Sequence, residues 1–266
     1  MTLYPVYAIV ERELYKLFRQ RARLLSSLVR PMIWLLVIGA GFEAAMSKTG
    51  GGYQNFLVPG VLGMTMLFGA MLAALSTVND KESGVMRLLV IAPVPHYWIV
   101  LARVLSAALA ALVQALLLLV LLGALGYLHA GISVPLLAVA MIVTAITCAS
   151  LGMLVAAFTK TMENYAVLMN LVIFPVFFLS GSLYPVQSLP AYLRILAHIN
   201  PFTYGVDLLK QAMLLPGATA FGGPDFSVAL DLAVLAGFSV LACAIACVRF
   251  SREAACEPLV HKGFAR

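Results

Sequence analysis

Few side chains in this chain of 266 residues could do chemistry, and their spacing does not bring them together. The four histidines, His96, His129, His198 and His261, are scattered, and no H-E-x-x-H pair puts two of them on one helix face for a metal. His96 and His129 fall in turns, His198 on an amphipathic stretch and His261 near the C-terminus. Cys243 and Cys247 share a helix face at i,i+4, where two soft ligands could hold a metal. No histidine or acid joins them, and small apolar side chains is the better reading. Cys148 lies in another apolar run and Cys256 in the C-terminal tail, which leaves no pair placed for oxidation. No G-x-x-x-x-G-K-[ST] loop occurs, so the chain has no such cradle for nucleotide phosphates. The expectation is a chain with no catalytic residues, no metal and no cofactor of its own.

Polar groups at membrane depth are equally sparse. Only Gln114 and Asn170 offer strong polar groups inside the apolar runs, where interhelical hydrogen bonding is their ordinary use. Asp225 and Asp231 border the last run. Proton- and sodium-coupled carriers place acids or histidines within their spans. An ion-driven carrier is therefore disfavoured, and energy for any uphill movement is expected from a partner.

The elements that position these residues follow from composition. Hydrophobic residues make up 63% and charged residues 11%, against about 25% charged in soluble domains. Long stretches carry no Asp, Glu, Lys or Arg: 50–79, 104–159, 164–193 and 232–248. The second is divided by the Gly-containing break 126–133. A crossing needs about 20 apolar residues, which gives helices near 27–46, 56–78, 104–127, 134–158, 165–184 and 228–248. The first is pinched between Arg30 and Glu43, and Arg30 has to snorkel. All of the 17 Lys and Arg residues except Lys48, Arg194 and Lys210 then fall on one side. Positive charge near span ends stays cytoplasmic, so both termini are expected inside. Tyr127, Tyr184 and Trp98 sit at span ends, as an aromatic belt requires. The net charge of +6 flanks apolar spans, so it speaks for orientation and anionic lipid, and against nucleic acid. The first apolar core begins past residue 30, too late for a cleavable signal. The expected fold is an all-α polytopic membrane protein forming one domain over 1–266. It comprises a cytoplasmic amphipathic helix at 1–25, a six-span core at 27–248 and a cytoplasmic tail at 249–266.

Between the spans, four features stand out. Val6, Ile9, Val10, Leu14, Leu17 and Phe18 recur at helical spacing opposite Arg12, Lys16, Arg19 and Arg23, a pattern that suits either the headgroup layer or a basic face for a partner. The stretch 80–103 opens with charge, continues with a short apolar helix from about Ser83 to Ile91, and is stopped by Pro93 and Pro95. Pro175 interrupts the fifth span, which fits either a packed kink or backbone lining a path. From Tyr184 to Ser227 two apolar half-helices, split at Asn200-Pro201, have the length of re-entrant or interfacial pieces. Small residues recur at helical spacing as well: Ala107, Ala111 and Ala115; Ala145, Ala149, Gly152 and Ala156; Ala242 and Ala246. They suit close packing within the subunit, with a subunit–subunit face as the lesser use.

Four stretches resemble the membrane subunit of ABC-2-type exporters: FLVPG at 56–60, ESGVMRLLVIAPVP at 82–95, LSGSLYPVQSLP at 179–190 and INPFTYGVDLLKQAML at 199–214. They occur in family-like order over nearly the whole chain; the short first helix and its Glu43 depart from the pattern. The resemblance implies six spans per subunit and a second permease subunit, forming a homodimer in the inner (plasma) membrane. It also implies a separate ATP-binding protein, in two copies, that carries ATP and Mg. Docking of that protein is expected on the N-terminal helix, with Arg12 and Lys16, and on the loop bearing Glu82, Gly84, Arg87, Leu88 and Pro93. The outer gate is expected around Pro185, Leu189, Tyr192, Asn200, Pro201 and Tyr204. Asn170, Pro175, Phe177 and Phe178 are candidates for a translocation path.

The expected activity is ATP-driven export of an amphipathic, drug-like or lipid-linked cargo, with hydrolysis in the partner. Polysaccharide or lipo-oligosaccharide export is the alternative within the family. Outside it stand a non-transporting membrane scaffold and a lipid-modifying integral enzyme, and the latter lacks the clustered acids or histidines it needs.

Overall fold

The computed structural model describes residues 7, 10–13, 15, 19, 28–46, 52–85, 96–128, 131–214 and 223–260, and their regular structure is helical. Helix α1, Leu28–Ala45, passes through a π-helical stretch at Trp34–Gly39. Helix α2 is Tyr53–Glu82, α3 is His96–Ala124 and α4 is Val134–Phe158. Helix α5, Met162–Phe178, follows after the three-residue connection 159–161. Two short helices, α6 at Ala191–Ile199 and α7 at Pro201–Met213, precede the long α8, Val228–Val260.

Five of these, α1 to α4 and α8, are long and apolar enough to cross a membrane. Helix α5 has 17 residues, about 25 Å at a rise of 1.5 Å per residue, against a hydrocarbon core of about 30 Å. The sequence places the end of this element at residue 184; the helix stops at Phe178 because the chain turns through Gly181, whose φ is +74°. Pro175 lies within α5 rather than ending it. Helix α2 runs past residue 78 to Glu82 and α3 begins at His96, before residue 104, because Asp80 and Arg103 at those ends are paired; α3 stops at Ala124, short of the 127 read from hydropathy.

Helix α2 is the centre of the bundle. In its apolar window 89% of residues are buried, against 17% for α1 and α8. It packs on α1, α3, α4, α5 and α7. The small residues noted above face inward: Ala107, Ala111, Ala115, Ala145, Ala149, Ala156, Ala242 and Ala246 are all buried. Gly152 brings α4 against Ala74 and Met71 of α2. Close approach of this kind is the usual basis of helix association in lipid. Gln114 of α3 is buried against Gly69 of α2. Asn170, by contrast, donates to the Ala166 carbonyl of its own helix at 2.9 Å and ties no neighbour.

The tightest contact is at Gly60, where an added Cβ would lie 2.6 Å from the Ser182 carbonyl oxygen. That neighbour is backbone and cannot rotate away. Gly60→Ala is expected to destabilise the bundle by about 1–3 kcal/mol, the cost of overpacking. Gly41→Ala, at a site with nothing within 4 Å, serves as the neutral control. Thermal unfolding in detergent measures both.

Candidate functional site

Three consecutive charged residues end α2, and each binds a different part of the molecule. Asp80 is buried. It accepts from Arg12 of the N-terminal segment at 2.7 Å and from Arg103 of α3. Arg103, itself buried, also donates to Glu13 at 3.1 Å. Two carboxylates and two guanidiniums thus balance around the buried Asp80–Arg103 pair, as buried charge requires, with Arg12 on the half-exposed side. Burial alone would lower the Arg12 pKa; its hydrogen bonds to Asp80 and Glu13 outweigh that, and the net direction is up.

Lys81 donates to the Ala156 and Ala157 carbonyls at 3.1 and 3.4 Å, satisfying the last turn of α4. Its ammonium also sits 4.3 Å from the centre of the Phe250 ring of α8. Glu82 accepts from the Met162 N–H at 2.8 Å, which caps the start of α5. Gly84, at φ +76°, ends the helix: the Ser83 and Gly84 N–H groups close on Asn79 and Lys81 carbonyls at 2.9 and 3.2 Å.

The opposite end of the bundle repeats the pattern. Glu43, the acid inside α1, accepts from the Gly52 and Gln54 N–H groups at 2.7 and 3.1 Å and caps α2. Tyr53 donates to the Leu183 carbonyl at 3.0 Å. Asn200 Nδ2 donates to the Val176 carbonyl of α5 at 2.7 Å, while its Oδ1 accepts from Phe202 N at 3.1 Å and starts α7, with Pro201 in the first position. Tyr204 is buried and donates to the His198 carbonyl at 2.8 Å.

Asp225 and Asp231 do more than border α8, contrary to the sequence reading. Asp207 of α7 accepts from the Asp225 and Phe226 N–H groups at 2.6 and 3.1 Å, and Gln211 bridges Asp207 to Asp231 at 3.0 and 2.6 Å. Lys210, buried nearby, lies 4.6 Å from the centre of the Phe56 ring. Burial pushes the Asp207 carboxyl up, against the opposing pull of those donors. It pushes the Lys210 ammonium down, against the opposing pull of Asp225 and Asp207.

The remaining expected positions divide. Lys16, Arg87, Leu88 and Pro93 lie outside the described residues, as does the short helix read at Ser83–Ile91 beyond residue 85. Pro185 opens a short turn at Val186–Ser188. Leu189 is buried, while Tyr192 on α6 is 67% exposed. Phe177 is buried, and Phe178 and Asn170 are exposed. Trp34 of α1 meets Phe177 and Phe178 edge-on at 5.8 and 6.1 Å between ring centres.

The family model described as ABC-2 type transporter matches residues 4–214. The chain belongs to that family. It is 29% identical over 199 residues to nodulation protein J of Rhizobium leguminosarum bv. trifolii, covering 73% of this chain and 74% of that one. It is 24% identical over 212 residues to the putative transport permease ycf38 of Cyanophora paradoxa, covering 77% and 72%. It is also similar to the probable multidrug ABC transporter permease YbhR of Escherichia coli K12, 27% identical over 165 residues, or 61% of this chain and 44% of that protein. As an ABC-2 permease it is a multi-pass membrane transport subunit that functions with an ABC ATP-binding protein.

Within this permease the four family-like stretches fold into two places. FLVPG, LSGSLYP and INPFTYG meet at the Tyr53 end: Gly60 lies on Ser182, and Gly63 lies on Phe202 and Val206. The ESG stretch ends α2 at the other. Sequence reading missed the Asp80–Arg103 pair. Its signal was an acid and a base at the facing edges of two charge-free runs, Asp80 after 50–79 and Arg103 before 104–159.

Asp80→Asn leaves the buried Arg103 short of its main counter-charge and is expected to cost on the order of 3 kcal/mol. Arg12→Ala, at a half-exposed partner of the same carboxylate, is expected to cost less than about 1 kcal/mol. Thermal unfolding of the two purified variants tests this ordering.

Proposed function

We propose that this chain is the membrane-spanning subunit of an ATP-driven exporter, and that its cargo is amphipathic, drug-like or lipid-linked. The carrying observation is the ABC-2 family match over residues 4–214 in a chain without a phosphate-cradling loop. In this reading α5 is a sixth crossing, shortened at its ends, and α6 and α7 are re-entrant pieces that shape an outer gate. Both termini lie in the cytoplasm, and the Asp80 end faces inward with the positive charge. Two permease subunits form a homodimer in the inner (plasma) membrane. Two copies of the ATP-binding protein dock on the N-terminal segment and on the loop after Glu82.

The geometry supports a coupling role for the Asp80 end. The N-terminal segment, through Arg12 and Glu13, and the start of the loop after α2 are joined there to α3, α4 and α5. Closing of the ATP-binding subunits favours one arrangement of this junction over another, and the bundle follows. Support for the cargo class comes from Trp34, Phe174, Phe177 and Phe178, an aromatic group on α1 and α5 with Phe174 and Phe178 partly exposed.

Co-expression with its ABC ATP-binding protein is expected to yield a stable complex that hydrolyses ATP, whereas the permease alone hydrolyses none. ATPase activity or vesicle transport by the permease alone contradicts the reading. Topology has its own test. In a background without native cysteines, Tyr192→Cys is expected to react with an impermeant maleimide added from outside. Reaction only after the membrane is opened inverts the orientation.

A further inference from the structure

Helix α5 is held at its two ends more than along its length. At its start the Met162 N–H donates to Glu82 at 2.8 Å, and the Asn164 N–H donates to Thr161 Oγ1 at 3.3 Å. At its finish the Val176, Phe177 and Phe178 carbonyls accept from Asn200 Nδ2, Ser180 Oγ and Tyr184 Oη at 2.7, 2.6 and 2.6 Å. These groups belong to the two helix ends, where N–H and C=O groups lack intrahelical partners; the Phe177 carbonyl also accepts from the Ser180 N–H at 3.2 Å. Between the ends, Tyr165 anchors the helix by donating to the Met71 carbonyl at 2.8 Å. Val167 and Leu171 stand 64% and 66% exposed.

Among those ties, Glu82 belongs to the element that leads into the loop after α2, and it is the last residue of that helix. Its carboxylate faces the N-terminus of α5, where the helix dipole and a charge-assisted hydrogen bond both favour it. Its neighbour Lys81 binds α4, but α4 packs against α2, α3, α7 and α8. A displacement arriving at residue 82 therefore meets a well-packed α4 and a loosely packed α5.

Resting on the exporter reading, we infer that Glu82 is a positioning residue for transport. Its carboxylate holds the first N–H of α5 and passes displacement of the loop after α2 to that helix, instead of serving as a contact for the ATP-binding partner. The bond is the link between the driven segment and the movable one.

The hydrogen bond can be removed from either side. Glu82→Ala deletes the acceptor. Met162→Pro deletes the donor while keeping the helix, because Met162 is the first helical residue, a favoured position for proline. Thr161 before it already has the extended backbone that proline requires, at φ −121° and ψ 149°. The experiment uses the complex with its ATP-binding protein in nanodiscs, with native cysteines removed and Val167→Cys as a reporter on α5. Trapping with ATP and vanadate is expected to change the maleimide labelling rate in the otherwise unaltered complex by about fivefold or more. Glu82→Ala and Met162→Pro are each expected to abolish that change while assembly and ATP hydrolysis persist, and the double variant is expected to be no worse than either. Glu82→Gln, which keeps an acceptor oxygen, is expected to retain part of the response. Loss in Glu82→Ala with a normal response in Met162→Pro overturns the inference and returns Glu82 to the docking surface. A full response in both also overturns it. A reference complex that hydrolyses no ATP contradicts the exporter reading itself.

Discussion

Charge inside an apolar bundle has to be neutralised where it stands, and the rest of this structure depends on how α2 does so at its Asp80 end. Asp80 and Arg103 are both buried, and neither is tolerable without the other. Their pairing fixes where α3 sits against α2. It also fixes the N-terminal segment, because Glu13 and Arg12 complete the set. A hydrophobic bundle alone would leave these helices free to slide, since lipid tails are as apolar as the side chains they cover. Polar ties give the bundle its register.

The same economy governs the other acids. Glu43, Glu82 and Asp207 each accept from backbone N–H groups at or just before a helix start. Lys81 does the converse at the end of α4. In water such caps contribute about 0.5–2 kcal/mol each. In a membrane protein they also determine where a helix can begin, because an unsatisfied backbone group has no water to turn to.

Much of this was legible in the sequence. The charge-free runs locate α2 to α4 and α8, and the alanine stripes on α3, α4 and α8 face inward as their spacing requires. Motif order carried the family. The failures have physical causes. Hydropathy sees charge as a stop, so it cut α2 and α3 short at residues whose charges are neutralised by partners far along the chain. It also ran the fifth element to residue 184, because Leu179, Leu183 and Tyr184 are apolar although Gly181 has already turned the backbone. Asp225 and Asp231 read as merely bordering the last span, since nothing local shows that Asp207 and Gln211 of α7 fold onto them.

Sequence, packing and function meet in the residues Asp80-Lys81-Glu82, which join the segment before the bundle and the loop after α2 to three other helices. Hydrogen–deuterium exchange on the assembled complex, with and without trapped nucleotide, tests that junction most directly. The expected result is that the amides of residues 80–85 and of 162–165 change protection together on nucleotide binding. A change confined to one of those segments, with the other unaltered, contradicts the view that the end of α2 drives the bundle.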